Sequence, residues 1–236
     1  MSVLRTRLNV LAHACGLPEG ASRSLRTLLD VVECDPDAPT SVTDPVRGVE
    51  VHVADSLDGL LIGAVRSAGL VADLGAGAGF PGLVIAIALP QARVQLVDSV
   101  AKKCEFMRRA VAAAGLDNVE VVNARAEDWP AGVGLHDVVL ARAVAPLGVL
   151  VEYAAPLLAP GGHLVAWKGA RDPPEEADAH AAASAVGLLL VDVAAVPPRA
   201  GADHRHLHVY TKIAETPERF PRRPGIARKK PISASD

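Results

Sequence analysis

The segment that most constrains this chain is Val71-Ala-Asp-Leu-Gly-Ala-Gly-Ala-Gly-Phe-Pro-Gly82, an apolar run that passes into three alternating glycines and then a helical stretch from about Pro81. Glycines at 75, 77 and 79 allow unusual backbone dihedrals and lack the Cβ atoms that would hold a ligand off the main chain. A strand, a glycine loop and a helix in that order open a βαβ unit. The texture persists from Gly69 onward, with strands expected at Leu70–Leu74, Arg93–Asp98, Val119–Asn123, Asp137–Ala141 and His163–Trp167. Helices are expected between them, most clearly over Val100–Ala114 and Leu147–Leu158. The pattern is that of an α/β fold with a parallel sheet.

Either side of this core the chain changes character. Residues 1–65 read as helical over Val3–Ala14, Ser22–Val32 and Val46–Val65, with Asp35–Pro45 as a Pro-rich connection. After Pro173 an Ala/Glu-rich helix precedes two strand-like runs, Leu188–Val193 and Leu207–Thr211. The Pro-rich segment Val196–Gly201 separates these runs, which can pair antiparallel at a sheet edge. The expected division is a helical extension at 1–65, the α/β domain at 66–216 and a basic Pro-rich tail at 217–236. That tail carries a formal +4 although the whole chain carries -3. With four prolines and little apolar content, it is expected to be extended and mobile, or ordered only against a partner.

The chain has 236 residues, 50% of them hydrophobic, enough for a sizeable core and too apolar for a disordered or fibrous protein. Its longest apolar run, Leu83–Leu89, falls far short of the roughly 20 residues a membrane-spanning helix needs, and the N-terminus lacks the pattern of an export signal. Cys15, Cys34 and Cys104 are an odd number without Cys-x-x-Cys spacing, which argues against a disulfide framework or zinc site and fits a reducing cytoplasm.

Two cofactor classes compete for the loop. Gly77-Ala-Gly79-Phe-Pro-Gly82 satisfies the G-x-G-x-x-G dinucleotide fingerprint, and Asp98 stands at the end of the next strand, where a carboxylate can accept hydrogen bonds from a ribose diol. The larger pattern, Asp73-x-Gly75-x-Gly77-x-Gly79, resembles motif I of the class I S-adenosylmethionine-dependent methyltransferases. Further along, Asn123-Ala-Arg-Ala-Glu-Asp128 resembles the stretch that borders the adenine in those enzymes, and His136-Asp-Val-Val-Leu-Ala-Arg-Ala143 resembles their motif IV.

Taken together, the residues resemble the ribosomal small-subunit methyltransferase G family, also called glucose-inhibited division protein B. The resemblance rests on Asp55-Ser-Leu57, Asp73 to Gly82, Val97-Asp-Ser99 with Lys102, Lys103 and Phe106, Arg125-Ala-Glu127, Ala141-Arg-Ala143, Lys168-Gly169, Arg205-His-Leu207 and Pro221-Arg-Arg-Pro-Gly225 with Lys229 to Pro231. It implies a class I, Rossmann-like methyltransferase fold, mostly parallel with an antiparallel edge strand, and methylation of a guanine N7 in 16S rRNA. It also implies cofactor contacts at Gly75, Phe80, Ala126, Glu127 and Arg142, to which the loop reading adds Gly77, Gly79 and Asp98. Candidate RNA contacts are Arg125, Lys168, Arg222, Arg223 and Lys229. The expected partners are 16S rRNA or the 30S subunit, with no metal and no membrane, for a cytoplasmic monomer. One departure lies upstream, where Pro39-Thr-Ser41 stands in place of the Asn-Leu-Thr usual in the family.

Guanine N7 has an in-plane lone pair and no proton to lose, so such a reaction needs no general base, and rate comes from alignment worth roughly 7–11 kcal/mol. No single catalytic residue is expected. His204, His206 and His208 alternate along a strand without a carboxylate or cysteine cluster beside them, a poor match to metal-ligand spacing. Cys104 reads as a packing residue. Lys102, Lys103, Arg108 and Arg109 are either the solvated face of a helix or an RNA contact. Three other readings remain: a methyltransferase acting on a small molecule or protein, a nicotinamide-dependent reductase, and a binding module that retains the loop. If the tail contacts phosphates, its deletion should leave cofactor affinity unchanged.

Overall fold

The computed structural model describes residues 3–199 and 204–235, so residues 200–201 of the Pro-rich connection lie outside it. The extension comprises α1 (Val3–Ala14), α2 (Ala21–Cys34), α3 (Pro45–Gly48), α4 (Asp55–Leu57) and α5 (Gly63–Arg66). The α/β part runs β1 (Leu70–Leu74), α6 (Gly82–Ala88), β2 (Arg93–Asp98), α7 (Ala101–Ala114), β3 (Val119–Asn123), β4 (His136–Arg142), α8 (Leu147–Ala154), β5 (Leu158–Lys168), α9 (Pro173–Val186), β6 (Leu188–Ala195) and β7 (His206–Lys212). A last short helix, α10 (Ile226–Lys229), lies in the tail.

The strands form one sheet in the order β3-β2-β1-β4-β5-β7-β6. β1 pairs in parallel with both β2 and β4, β3 and β5 extend these pairings outward, and β7 and β6 close the edge antiparallel. The expected mostly parallel sheet with an antiparallel edge is therefore present. Chain order reverses between β1 and β4, and in open α/β sheets ligands bind beyond the carboxyl ends of the strands at such a point.

Alternation along the strands sorts their side chains into two cores. Val71, Val138, Leu140, Val165 and Trp167 face the core shared with α1, α2, α6 and α7. Ala72, Val139, Ala141, Leu164 and Ala166 face the core built with α8 and α9. The helical extension is thus one whole layer of the first core.

Three expectations need correction. The continuous helix expected over Val46–Val65 is broken, passing from α3 through a π turn at Val49–Ala54, α4 and a 3-10 turn at Asp58–Leu61 to an extended Ile62 before α5. Tertiary contacts set these breaks: Trp167 Nε1 donates to Asp55 O at 2.8 Å, and a Cβ on Gly59 would fall 2.9 Å from the Trp167 ring. The helix expected to reach Leu158 stops at Ala154, because Pro156 cannot continue it and Leu158 already belongs to β5. The tail, expected to be mobile or dependent on a partner, packs on its own chain, with Ala227 2% exposed in the second core. Its polar anchors reach partners distant in sequence and its apolar ones are few, which is why apolar content gave no sign of them.

Asp55 ties the extension to the sheet. Its carboxylate, 2% exposed, accepts a 2.6 Å bond from Arg142 Nη1 at the end of β4, and Arg205 Nε lies 3.0 Å from its other oxygen. Removing one partner of a buried ion pair leaves an uncompensated charge and costs about 3–5 kcal/mol. Asp55→Ala is expected to lose that much unfolding free energy in urea at neutral pH. A loss under about 1 kcal/mol, the range of an exposed pair, would mean that apolar packing alone holds the extension.

Candidate active site

The loop after β1 is held by carboxylates from two adjacent strand ends. Asp73 Oδ2, from β1, accepts the Gly82 N–H at 2.8 Å where α6 begins. Asp98, from β2, accepts the Gly77 N–H at 3.1 Å through Oδ2 and the Val100 N–H at 2.9 Å through Oδ1, with Lys103 Nζ at 3.6 Å. Val97 O takes the N–H groups of Gly75 and Ala76. Gly75 and Gly82 leave no room for a side chain. A Cβ on Gly75, at φ +64°, would lie 2.7 Å from Val144 Cγ2, and one on Gly82 would lie 2.3 Å from Leu96 Cδ2 and 2.8 Å from Asp73 Oδ2.

Beyond the strand ends opens a cleft of about 390 Å³, within the size range of small-molecule sites. It brings together four of the expected cofactor residues: Gly75, Asp98, Ala126 and Glu127. The others stand behind or beside it. Gly77 contributes its N–H to Asp98, and Gly79 packs against Leu83. Phe80 is buried with its ring stacked on His52 at 4.5 Å. The alternation of β4 turns Arg142 to the face of the extension, where Nη1 also donates to Val51 O at 3.1 Å and the guanidinium sits 6.0 Å from the Phe80 ring.

Of the expected RNA residues, Arg125 lines the cleft and is exposed, as are Arg223 and Lys229 in the tail. Lys168 is paired with Glu175 at 2.6 Å, and the Arg222 fork is closed on Glu152, a carboxylate 1% exposed. On α7, Lys102 pairs with Asp37 and Arg109 with Asp35, while Cys104 is buried with Sγ on Asp98 O.

Sequence reasoning did not assign Tyr153, Ala143, Val144, Gly225 and Arg228 to the cofactor site, yet they also line the cleft. Ala143, at φ +56°, is among the described residues the one non-glycine with positive φ, and it turns the chain sharply after β4. The signal available was the Arg142-Ala143 pair at a strand end. Nothing local pointed to Tyr153, which comes from α8.

An acid-glycine loop after β1, a carboxylate at the end of β2 and a cleft at the β1/β4 reversal define a class I S-adenosylmethionine-dependent methyltransferase. The comparisons agree and set aside the nicotinamide reading. The family model for rRNA small subunit methyltransferase G matches residues 39–206. Relatives carrying the name ribosomal RNA small subunit methyltransferase G include one from Rubrobacter xylanophilus, 45% identical over 77% of this chain and 72% of its own, and one from Desulfitobacterium hafniense, 39% identical over 82% and 81%. Similar solved structures include a predicted O-methyltransferase from Agrobacterium tumefaciens (TM-score 0.54, 25% identity, covering 68% of this chain and 81% of that one). A SAM-dependent methyltransferase from Aquifex aeolicus shares the fold (TM-score 0.54, 17% identity, covering 72% of this chain and 99% of that one). The chain belongs to the rRNA small subunit methyltransferase G family.

Asp73 gives the site an electrostatic signature. It is 1% exposed, and its Oδ1 has no hydrogen-bond partner. Burial pushes its carboxyl up to about 7, against the downward pull of the Gly82 N–H and Arg142. A folded-state value above that of the unfolded chain gives stability that is fully present at low pH and lost as pH rises through the folded value. The unfolding free energy of the native chain, minus that of Asp73→Asn, is therefore expected to fall between about pH 4 and pH 7 and flatten above. Parallel pH curves for the two proteins would refute the assignment.

Proposed function

We propose that this chain uses S-adenosylmethionine to methylate N7 of a guanine in 16S rRNA, free or within the 30S subunit, and that it acts as a cytoplasmic monomer. The observation that carries the reading is the cleft itself, with its hydrogen-bonding carboxylates beside a glycine loop and exposed basic residues around it. No helix among the described residues is long and apolar enough to cross a membrane.

The residues present suit the cofactor. Asp98, held by two backbone N–H groups, retains acceptor capacity for a ribose diol, and Glu127 can accept from an exocyclic amine. Gly75 leaves room for a ligand against the main chain, with Ala126 beside Glu127 as an apolar wall. Bound S-adenosylmethionine supplies an electrophilic methyl on a sulfonium. The chain has to exclude water and align the acceptor; it has no proton to remove from N7. Arg125, Arg223 and Lys229 are suited to phosphates, with Lys168 and Arg222 reaching RNA only by releasing their carboxylates.

Methyl-tritiated cofactor should label unmodified 16S rRNA or 30S subunits at guanine N7, and label found only on a small molecule or protein would move the acceptor to that class. Asp98→Ala should raise the dissociation constant for S-adenosylmethionine about 10- to 150-fold, the equivalent of about 1.5–3 kcal/mol for a hydrogen bond to a charged group. An unchanged constant in calorimetric titration would remove Asp98 from the site.

Arg142 cannot shed its charge, and its fork orients as well as attracts. Arg142→Lys keeps the charge but cannot hold Asp55 and Val51 O in the same geometry, so methyl transfer is expected to drop at least about tenfold, roughly 1.4 kcal/mol of transition-state stabilisation. Full activity on 30S subunits with normal cofactor affinity would show that Arg142 neither binds nor orients.

A further inference from the structure

The basic tail does more than cross the surface of the domain. Arg222 closes on Glu152 with Nε at 2.9 Å from Oε1 and Nη2 at 2.6 Å from Oε2, and its own backbone N–H joins Oε1 at 3.1 Å. Phe220 and Ile232 pack against the second core, and Ala227 is buried in it. Farther on, Ser233 and Ala234 both donate to Asp178 on α9. Between these anchors the segment passes along the cleft, and Gly225 and Arg228 form part of its lining.

Each of those two residues holds a different wall. The Gly225 N–H donates to Glu127 Oε1 at 3.0 Å and fixes a carboxylate that follows β3. Tyr153, pushed up by burial and by the Glu127 carboxylate, faces both Glu127 and Arg228. Arg228 Nη2 donates to Val144 O at 2.8 Å, just after the left-handed turn at Ala143. The Val144 side chain is the group that a Cβ on Gly75 would strike. Arg228 therefore braces the strained turn after β4, which in turn packs on the first glycine of the loop. The tail spans the cleft from the end of β3 to the end of β4, while Arg223, Lys229 and Lys230 stay exposed.

We propose that the C-terminal segment 220–234 is a built wall of the cofactor cleft, with Gly225 and Arg228 as positioning residues that hold Glu127 and Val144 in register for the adenosyl group. The inference rests on the reading of this cleft as the cofactor site. It reverses the expectation that a tail devoted to RNA can be removed without effect on the cofactor.

The test is calorimetric titration of the full chain with S-adenosylhomocysteine in the absence of RNA, alongside Arg228→Ala, Arg228→Lys and a chain lacking residues 219–236. Arg228→Ala should raise the dissociation constant about three- to tenfold, the range of about one net hydrogen bond, and the truncated chain should bind more weakly still. Arg228→Lys can still donate to Val144 O and should restore affinity to within about twofold. Arg228 is exposed, so its loss leaves the core intact, and melting curves check this independently of the truncated chain. Native affinity in both Arg228→Ala and the truncated chain would overturn the wall and leave the tail to RNA alone. Failure of the unaltered chain to bind S-adenosylhomocysteine would overturn the cofactor reading on which the wall depends.

Discussion

Two carboxylates at neighbouring strand ends fix the backbone of a loop that has almost no side chains of its own. Asp73 receives the N–H of Gly82 and Asp98 that of Gly77, so the loop is held at its far end and its middle while Val97 O holds its start. A glycine-rich segment surrenders more conformational entropy on ordering than any other, and fixed acceptors of this kind help to offset it. The arrangement has an energetic cost in Asp73, whose second oxygen is buried without a partner. It is also what presents the main chain to a ligand. With the loop fixed, α6 starts at Gly82, Leu96 and Asp73 close around it, and the cleft acquires a floor.

The strands were legible because each is a short β-branched or apolar stretch set between turn and helix signals, although burial ranges from nearly complete in β1 to partial in β3. β1, β2 and β3 match the residues expected of them, and β4 differs by one residue at each end. Asp98 was legible for a topological reason, since the end of the second strand lies beside the first loop in any βαβ unit. Arg142 was legible as a residue at a strand end, yet its partner Asp55 lies far back in the chain and no local pattern pairs them. The same holds for Gly225 with Glu127 and Arg222 with Glu152. Hydrogen bonds between distant, mostly polar segments leave no periodicity, so the tail looked disordered by composition. The broken helix before β1 failed for a related reason: Trp167, from β5, decides where it turns.

Charge needs the same care. The acidic balance outside the tail suggests a poor surface for RNA, but several of the acids responsible are internal acceptors. Asp55, Asp58, Asp73, Asp98 and Glu152 are all buried, each bonded to a guanidinium or to backbone N–H groups. Asp55, Asp58 and Glu152 are neutralised inside the molecule together with their arginines and contribute little to the field that an approaching polyanion meets, whereas Asp98 lines the cleft. The exposed cations Arg125 and Arg228, which line the cleft, and Arg223 and Lys229, which stand near Arg228 in the tail, then count for more than the net figure implies.

The histidines complete the argument about chemistry. His52 lies against Phe80 with Nε2 at 2.9 Å from Val42 O, His136 is held between Gln95 and Leu157 O, and His208 is 2% exposed on β7. Burial lowers the pKa of all three, which keeps them neutral at physiological pH. None of the three lines the cleft, and the ionisable groups that do are carboxylates, basic side chains and Tyr153, the last pushed away from neutrality. A reaction that had to remove a proton from its acceptor would find no histidine along these walls. A nucleophile that already carries its lone pair needs none, and for such an acceptor a rigid loop, a braced turn and a fixed carboxylate are the whole of what the protein must supply.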